Sequence, residues 1–215
     1  MAPQPYPLAR AVLLVDGLSF HYPQQPALFH NWSARIFSGL TLLRGGDGSG
    51  KTTLLRLLAG DLQAQAGVVQ ANGVRLKDDP GRYQQQVFWV DVRSTVFDQI
   101  TPKDYFKSLG ARFAKFDALV LPDMLDGLAL VPHLDKFFYM LSTGTRRKVW
   151  LAAAFASGAA VTLLDEPFAA LDQSAIAFVM ELLDDAAAHP GRAFVLAHHE
   201  APGQVPLNQT IDLGG

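Results

Sequence analysis

Apolar positions along this chain follow two rhythms, and the switches between them mark its elements. Leu40–Leu43 and Val87–Val90 are short apolar runs, too brief for helices, and each predicts a buried strand. Ala11–Val15 and Trp32–Phe37 read as opening strands. Gly67–Ala71 and Val74–Leu76 flank Asn72-Gly73, a pair that accepts the positive φ angles of a tight hairpin turn. Thr52 to Leu58 takes the helical period and ends near Gly60.

Past Val90 the spacing becomes helical. Thr101-Pro102-Lys103-Asp104 predicts a helix start, with threonine as cap, proline in the first turn and an acid three residues after the cap. Helical spacing then runs to about Met140, broken at Pro122 and Pro132. Val149 to Leu164 is apolar but too short to span a membrane, and it divides at Ser157-Gly158 into a helix and a strand. Alternation resumes with Arg146–Ser157, Ala160–Leu164, Ser174–Ala188, Ala193–Ala197 and a last strand near Gln209–Leu213. The pattern predicts an α/β fold: a tail over residues 1–10, then one domain over 11–215 with a helical insert at about 94–157.

At 215 residues the chain is long enough for one sizeable core. A formal net charge of −2 supplies no basic field for nucleic acid or an anionic membrane, so no nucleic-acid partner is expected. With zero cysteines, disulfides, thiolate catalysis and cysteine-held zinc are excluded. The tail has three prolines in its first seven residues and lacks the apolar core of a signal peptide.

The chemistry concentrates in Gly45-Gly46-Asp47-Gly48-Ser49-Gly50-Lys51-Thr52-Thr53, which fits the phosphate-loop pattern between a strand and a helix. Glycines let successive N–H groups surround phosphates, and the new helix adds its positive end. Lys51 is placed to meet the β- and γ-phosphates, and Thr52 to offer a hydroxyl to Mg²⁺. Downstream, Val161–Leu164 runs into Asp165-Glu166-Pro167. An acid at the end of a buried strand lies where α/β sheets present their sites. Asp165 is expected to hold Mg²⁺ opposite Thr52, and Glu166 to orient or deprotonate an attacking water.

Between these two motifs lies Leu141-Ser142-Thr143-Gly144-Thr145, which resembles the signature motif of the ATP-binding cassette (ABC) family, commonest as Leu-Ser-Gly-Gly-Gln. Other family motifs follow in order. Tyr22 resembles the aromatic that stacks on adenine, and Asp172 in Ala170-Leu171-Asp172 the loop after the second carboxylate motif. His199 best matches the family's switch histidine, with His198 the alternative. The resemblance covers about Val12 to Glu200. It implies a phosphate-loop NTPase of ABC type: a mixed sheet core with an N-terminal antiparallel part and a helical subdomain. It further implies catalytic roles for Glu166, His199 and Lys51, ATP and Mg²⁺ as ligands, and Ser142 to Thr145 acting on nucleotide held by a second ATPase subunit, alike or unlike.

By the same resemblance the chain is a transporter ATPase, compact like small bacterial exporter subunits, including the haem-exporter type. It would sit on the cytoplasmic face of the membrane through a transmembrane partner. The partner surface is expected on the insert, whose aromatics include Phe97, Tyr105, Phe106, Phe113, Phe116, Phe137, Phe138 and Tyr139. Three residues depart from the family: Thr145 stands for glutamine, Asp91-Val92 replaces the Q-loop glutamine, and Asp47 adds a negative charge to the phosphate loop. These departures keep two alternatives open, a low-turnover regulatory subunit and a soluble non-transport ABC ATPase.

Overall fold

The computed structural model describes residues 11–203 and 205–214; the tail expected at residues 1–10 lies outside them. Two sheets form the frame. Strands β1 (Leu13–His21), β2 (Ala27–Ile36), β4 (Ala66–Ala71) and β5 (Val74–Arg75) make an antiparallel sheet in the order β2-β1-β4-β5. Strands β3 (Gly39–Arg44), β6 (Val87–Phe88), β7 (Val161–Asp165), β8 (Ala193–His198) and β9 (Gln209–Asp212) make a parallel sheet in the order β6-β7-β8-β3-β9. The mixed character of the expected fold is thus divided between two sheets.

Strand parity sends side chains of the parallel sheet into two cores. Leu40, Leu42, Leu164, Phe194 and Leu196 pack with helices α5 (Thr143–Ala156) and α6 (Gln173–Ala188). Leu43, Leu163, Val195 and Ala197 face the other way, joining α1 (Lys51–Ala59) and the antiparallel sheet. A parallel sheet buried on both faces needs near-continuous apolar strands, and β3, β7 and β8 supply them. The same closure aligns the C-terminal ends of β3, β7 and β8 along one edge, where Arg44 pairs with His198 and Asp165 with Ala197.

Helices α3 (Pro102–Arg112) and α4 (Leu121–Gly127), two 3₁₀ turns and α5 lie between β6 and β7 in sequence. Thr101 caps α3: its Oγ1 accepts from Asp104 N–H at 3.1 Å and donates to Asp104 Oδ2 at 2.7 Å. The insert closes on its own aromatics. Tyr105, Phe106, Phe113 and Phe138 are buried, and the Phe138 ring stacks on Trp150 at 4.6 Å.

The structure differs from the expected pattern at four elements, the first being β2, which begins at Ala27 rather than Trp32. β1 continues beyond Val15 to His21, because Gly17 (φ 63°) forms a bulge that interrupts the alternation without ending the strand. Gly67 meets it there with φ 104°, and a Cβ at that position would lie 2.6 Å from Leu18 Cα. β6 stops at Phe88 because only β7 pairs with it. A short helix, α2 (Pro80–Gln84), lies where the pattern showed none; Asp79 caps it by accepting from Arg82 N–H. Its buried Tyr83 hydroxyl donates to Leu58 O at 2.5 Å, tying α2 to α1.

Candidate nucleotide site

The loop from Gly45 to Gly50 leaves β3 and enters α1 through Gly50, which caps the helix at φ 93°. A Cβ there would stand 3.0 Å from the Phe29 ring as well as straining the backbone, so the turn requires glycine. Gly46 and Gly48 open onto space, with nothing within 4 Å of a Cβ built on either. Lys51 is buried, and its Nζ donates to Gly45 O at 2.8 Å and Gly46 O at 3.0 Å. Ser49 Oγ is buried without a protein partner. A buried cation and an unpaired hydroxyl in an open glycine loop suit an anion. Asp47 is exposed and forms no ion pair among the described residues.

Strand pairing brings the carboxylates to this loop. Thr52 Oγ1 donates to Asp165 Oδ2 at 2.7 Å across 113 residues of sequence. Burial raises the Asp165 carboxyl above its ordinary value, against the Thr52 hydrogen bond and the charges of Arg147, Lys51 and Arg93. Asp165 Oδ1 is buried without a partner. Hydroxyl and carboxylate oxygens held side by side are the hard donors that Mg²⁺ takes, so these residues fit that ion.

Glu166 stands between Lys51 and His198. Its Oε1 is 3.9 Å from Lys51 Nζ, and its Oε2 is 3.4 Å from His198 Nε2. Of the two histidines expected as candidates, His199 and its alternative His198, it is His198 that makes this contact. His198 ends β8 with its side chain only 13% exposed, its Nδ1 facing the Glu200 main chain at 3.0 Å (O) and 3.3 Å (N). His199 lies past the strand end, 61% exposed, with its Nε2 3.6 Å from Glu200. The two imidazole rings lie close together, their centroids 4.2 Å apart and their planes 31° from parallel, and one ligand atom from each of Glu166, His198 and His199 lies within 4.8 Å of the others.

Tyr22 is held at the margin of the loop, its hydroxyl 3.0 Å from Thr53 Oγ1 and its ring edge-on to Phe20. The signature residues are elsewhere. Ser142 caps α5, accepting from Thr145 N–H at 3.1 Å, with Thr145 Oγ1 2.9 Å away. Ser142 and Thr143 are exposed, Gly144 and Thr145 partly so. Among the described residues, no hydrogen bond joins residues 142–145 to residues 45–53. Asp172 caps α6 and holds Lys148 Nζ; that contact, with the Ala175 N–H and Ser174, keeps its carboxyl far below the usual range. Asp91 turns onto its own loop, accepting from Arg93 N–H at 2.9 Å.

Arg147 was missed by sequence reasoning. It sits in the polar run Arg146-Arg147-Lys148 with no spacing signal, yet its Nη1 donates to the main-chain oxygens of both Asp165 and Glu166.

A family model described as "ABC transporter" matches residues 29–169. The chain is 35% identical to the cytochrome c biogenesis ATP-binding export protein CcmA of Pseudomonas savastanoi pv. phaseolicola, over 87% of this chain and 88% of that one. It is 32% identical to the protein of the same name from Aromatoleum aromaticum, over 83% and 85% of the two chains. Among solved structures it resembles an ATP-binding subunit of an ABC transporter, with a TM-score of 0.78 and 25% identity over 87% of this chain and 79% of that one. The fold is also that of cbiO1 from Clostridium perfringens, with a TM-score of 0.65 and 22% identity over 89% of this chain and 79% of that one.

Proposed function

This chain belongs to the ABC transporter family as an ATP-binding, ATP-hydrolysing subunit, and from that premise we infer how its site works and what it serves. The observation that carries the reading is the convergence on one sheet edge: Thr52 on Asp165 at 2.7 Å, and Glu166 between Lys51 and His198. The glycine loop and Lys51 receive the phosphates of ATP, Lys51 exchanging its carbonyl partners for phosphate oxygens. Thr52 and Asp165 would hold Mg²⁺, which supplies charge neutralisation at the phosphates when bound. Glu166 orients and deprotonates water, and His198 holds the carboxylate in place. Tyr22 provides a face for adenine.

Ser142 and Gly144 make no hydrogen bond to this chain's own loop among the described residues and stand at the start of α5, Ser142 exposed and Gly144 partly so. They serve the nucleotide of a second ATPase subunit, so two ATP molecules close a head-to-tail dimer. Among the described residues no helix is long and apolar enough to cross a membrane, so transport requires a separate transmembrane subunit. An exposed apolar patch suits its docking: Val96, Phe137, Tyr139 and Met140 are 81%, 40%, 52% and 54% exposed. The main chain unites them, with Phe138 N–H on Ile100 O and Tyr139 N–H on Asp98 O. The names of these relatives, cytochrome c biogenesis ATP-binding export proteins, support export in the service of cytochrome c biogenesis.

The test is the mass in solution of Glu166→Gln with saturating ATP, beside the same protein carrying Lys51→Ala. A dimer in the first and a monomer in the second is expected. Monomers in both would remove the self-sufficient homodimer in favour of an unlike partner. In cells, loss of the chain should deplete c-type cytochromes, with wild type restoring them and Lys51→Ala not.

A further inference from the structure

Glu166 occupies a backbone conformation that its sequence position disfavours twice. Its φ is +44°, in the left-handed region that disfavours a residue with a Cβ. It also precedes Pro167, whose ring pushes the preceding residue toward extended angles. Such a conformation persists only where its surroundings over-determine it. Three contacts do so here. Glu166 N–H donates to Ala197 O of β8 at 3.0 Å, and Ala169 N–H donates to Glu166 O at 3.2 Å. The third is the Arg147 guanidinium, whose Nη1 bonds Glu166 O and, at 3.2 Å, Asp165 O.

The third contact differs in kind from the first two. The Ala197 bond belongs to the neighbouring strand and the Ala169 bond to the local turn. Arg147 comes from α5, one turn after the signature residues that cap that helix. It is half-buried, and desolvation lowers its affinity for the proton against the attraction of Asp165 and Glu166. Holding a desolvated cation against two carbonyls is costly unless those bonds are retained. Arg147, Trp150 and Asp165 also line one small cavity of about 30 Å³. Arg147 Nε, Trp150 Nε1 and Asp165 Oδ1 are all buried without protein partners. Two donors and one acceptor are thus left unpaired on residues that line this cavity.

The geometry points to Arg147 as the positioning residue for Glu166: it fixes the strained peptide of the base from the signature helix, so a shift of α5 reaches the base through a single side chain. This rests on the reading of Glu166 as the group that activates water. Arg147 does not contact the glycine loop in the structure, so its removal should misplace the base while leaving nucleotide binding intact. A base displaced by about 1 Å loses about 10²-fold in rate.

The test is steady-state phosphate release by the full chain for Arg147→Gln, Arg147→Lys and Glu166→Gln, with nucleotide affinity measured separately by fluorescence of a labelled ATP. The expected result is a fall in kcat of about 10²-fold for Arg147→Gln, with KM and nucleotide affinity within about threefold of wild type. Arg147→Lys should recover part of that kcat, since an ammonium can reach one of the two carbonyls but not span both. Merely structural damage would lower nucleotide affinity and kcat together, with no recovery by lysine, and would overturn the inference. Wild-type kcat in both Arg147 variants with an inactive Glu166→Gln would overturn it too, while sparing the role of Glu166. An active Glu166→Gln would remove both. Arg147→Lys keeps charge and stem, so it reports on kcat even where Arg147→Gln folds poorly.

Discussion

Replacing each of the two adjacent histidines by alanine separates the site geometry from a motif match. His198 Nε2 lies 3.4 Å from Glu166 Oε2, with its ring largely buried and edge-on to Phe168 at 5.6 Å. Removing it takes away the imidazole 3.4 Å from the Glu166 carboxylate and leaves Lys51, on the opposite oxygen at 3.9 Å, to draw that group toward the phosphate loop. A positioned acid–base partner contributes about 10²- to 10⁴-fold in rate, or roughly 2.7–5.4 kcal/mol. His199, by contrast, has its nearest carboxylate in Glu200 at 3.6 Å, both side chains being mostly exposed at 61% and 73%, while its ring lies 4.2 Å from that of His198. An exposed pair is worth up to about 1 kcal/mol, which bounds the effect of His199→Ala at about fivefold. The assay is phosphate release under saturating Mg²⁺-ATP, with Lys51→Ala defining background. His198→Ala should fall at least about 10²-fold while His199→Ala stays within about fivefold. A larger loss in His199→Ala than in His198→Ala would refute the reasoning outright, because the 3.4 Å contact with Glu166 is made by His198.

Tyr83→Phe should lower stability by about 1–3 kcal/mol in urea unfolding, because it strands the buried Leu58 carbonyl, while turnover per folded molecule is unchanged. Gly144→Ala puts a Cβ 2.5 Å from Ala170 O, so the start of α5 must shift at a cost of about 1–3 kcal/mol; ATP-dependent dimerisation by Glu166→Gln should be lost when this change is added. Mg²⁺ needs ionised Asp165, whose carboxyl is raised above 3.8 by burial. Metal-free, the folded state therefore binds that proton more tightly than the unfolded chain, and this group's contribution to stability falls as pH rises through the raised value. The added thermal stabilisation by Mg²⁺-ATP should do the opposite, fading as pH drops through that value, and Asp165→Asn should abolish this pH dependence.

Much of the architecture was legible because it depends on local chemistry. Leu40–Leu43 and Ala193–Ala197 are apolar on both faces, which only a doubly covered strand tolerates. Thr101-Pro102-Lys103-Asp104 carries a complete helix start in four residues, and the structure closes it with the expected hydrogen bonds. Ser157-Gly158 ends α5 where the pattern divided, with Gly158 at φ 63°. The missed α2 had a usable signal in Asp79-Pro80, but five residues are too few for a helical period. The extension of β1 was hidden because a bulge shifts parity by one residue, and alternation is the only signal a strand has.

For the site, the chain alone determined which chemistry is available: a glycine loop with Lys51 and Thr52, a strand ending in Asp165-Glu166, and two histidines at the end of another strand. These are local patterns, and each needs only its own segment to be recognised. Tertiary structure decided what they do together. The 2.7 Å contact from Thr52 to Asp165 spans 113 residues, and its existence depends on β3 and β7 flanking β8 in one sheet. The preference for His198 over His199 depends on where β8 ends beside β7, which sets His198 Nε2 3.4 Å from Glu166 Oε2. Arg147 gains its role only from the packing of α5 beside the end of β7, where its guanidinium meets two carbonyl oxygens. Main-chain oxygens look the same at every position of a sequence, so only folding gives two of them a place.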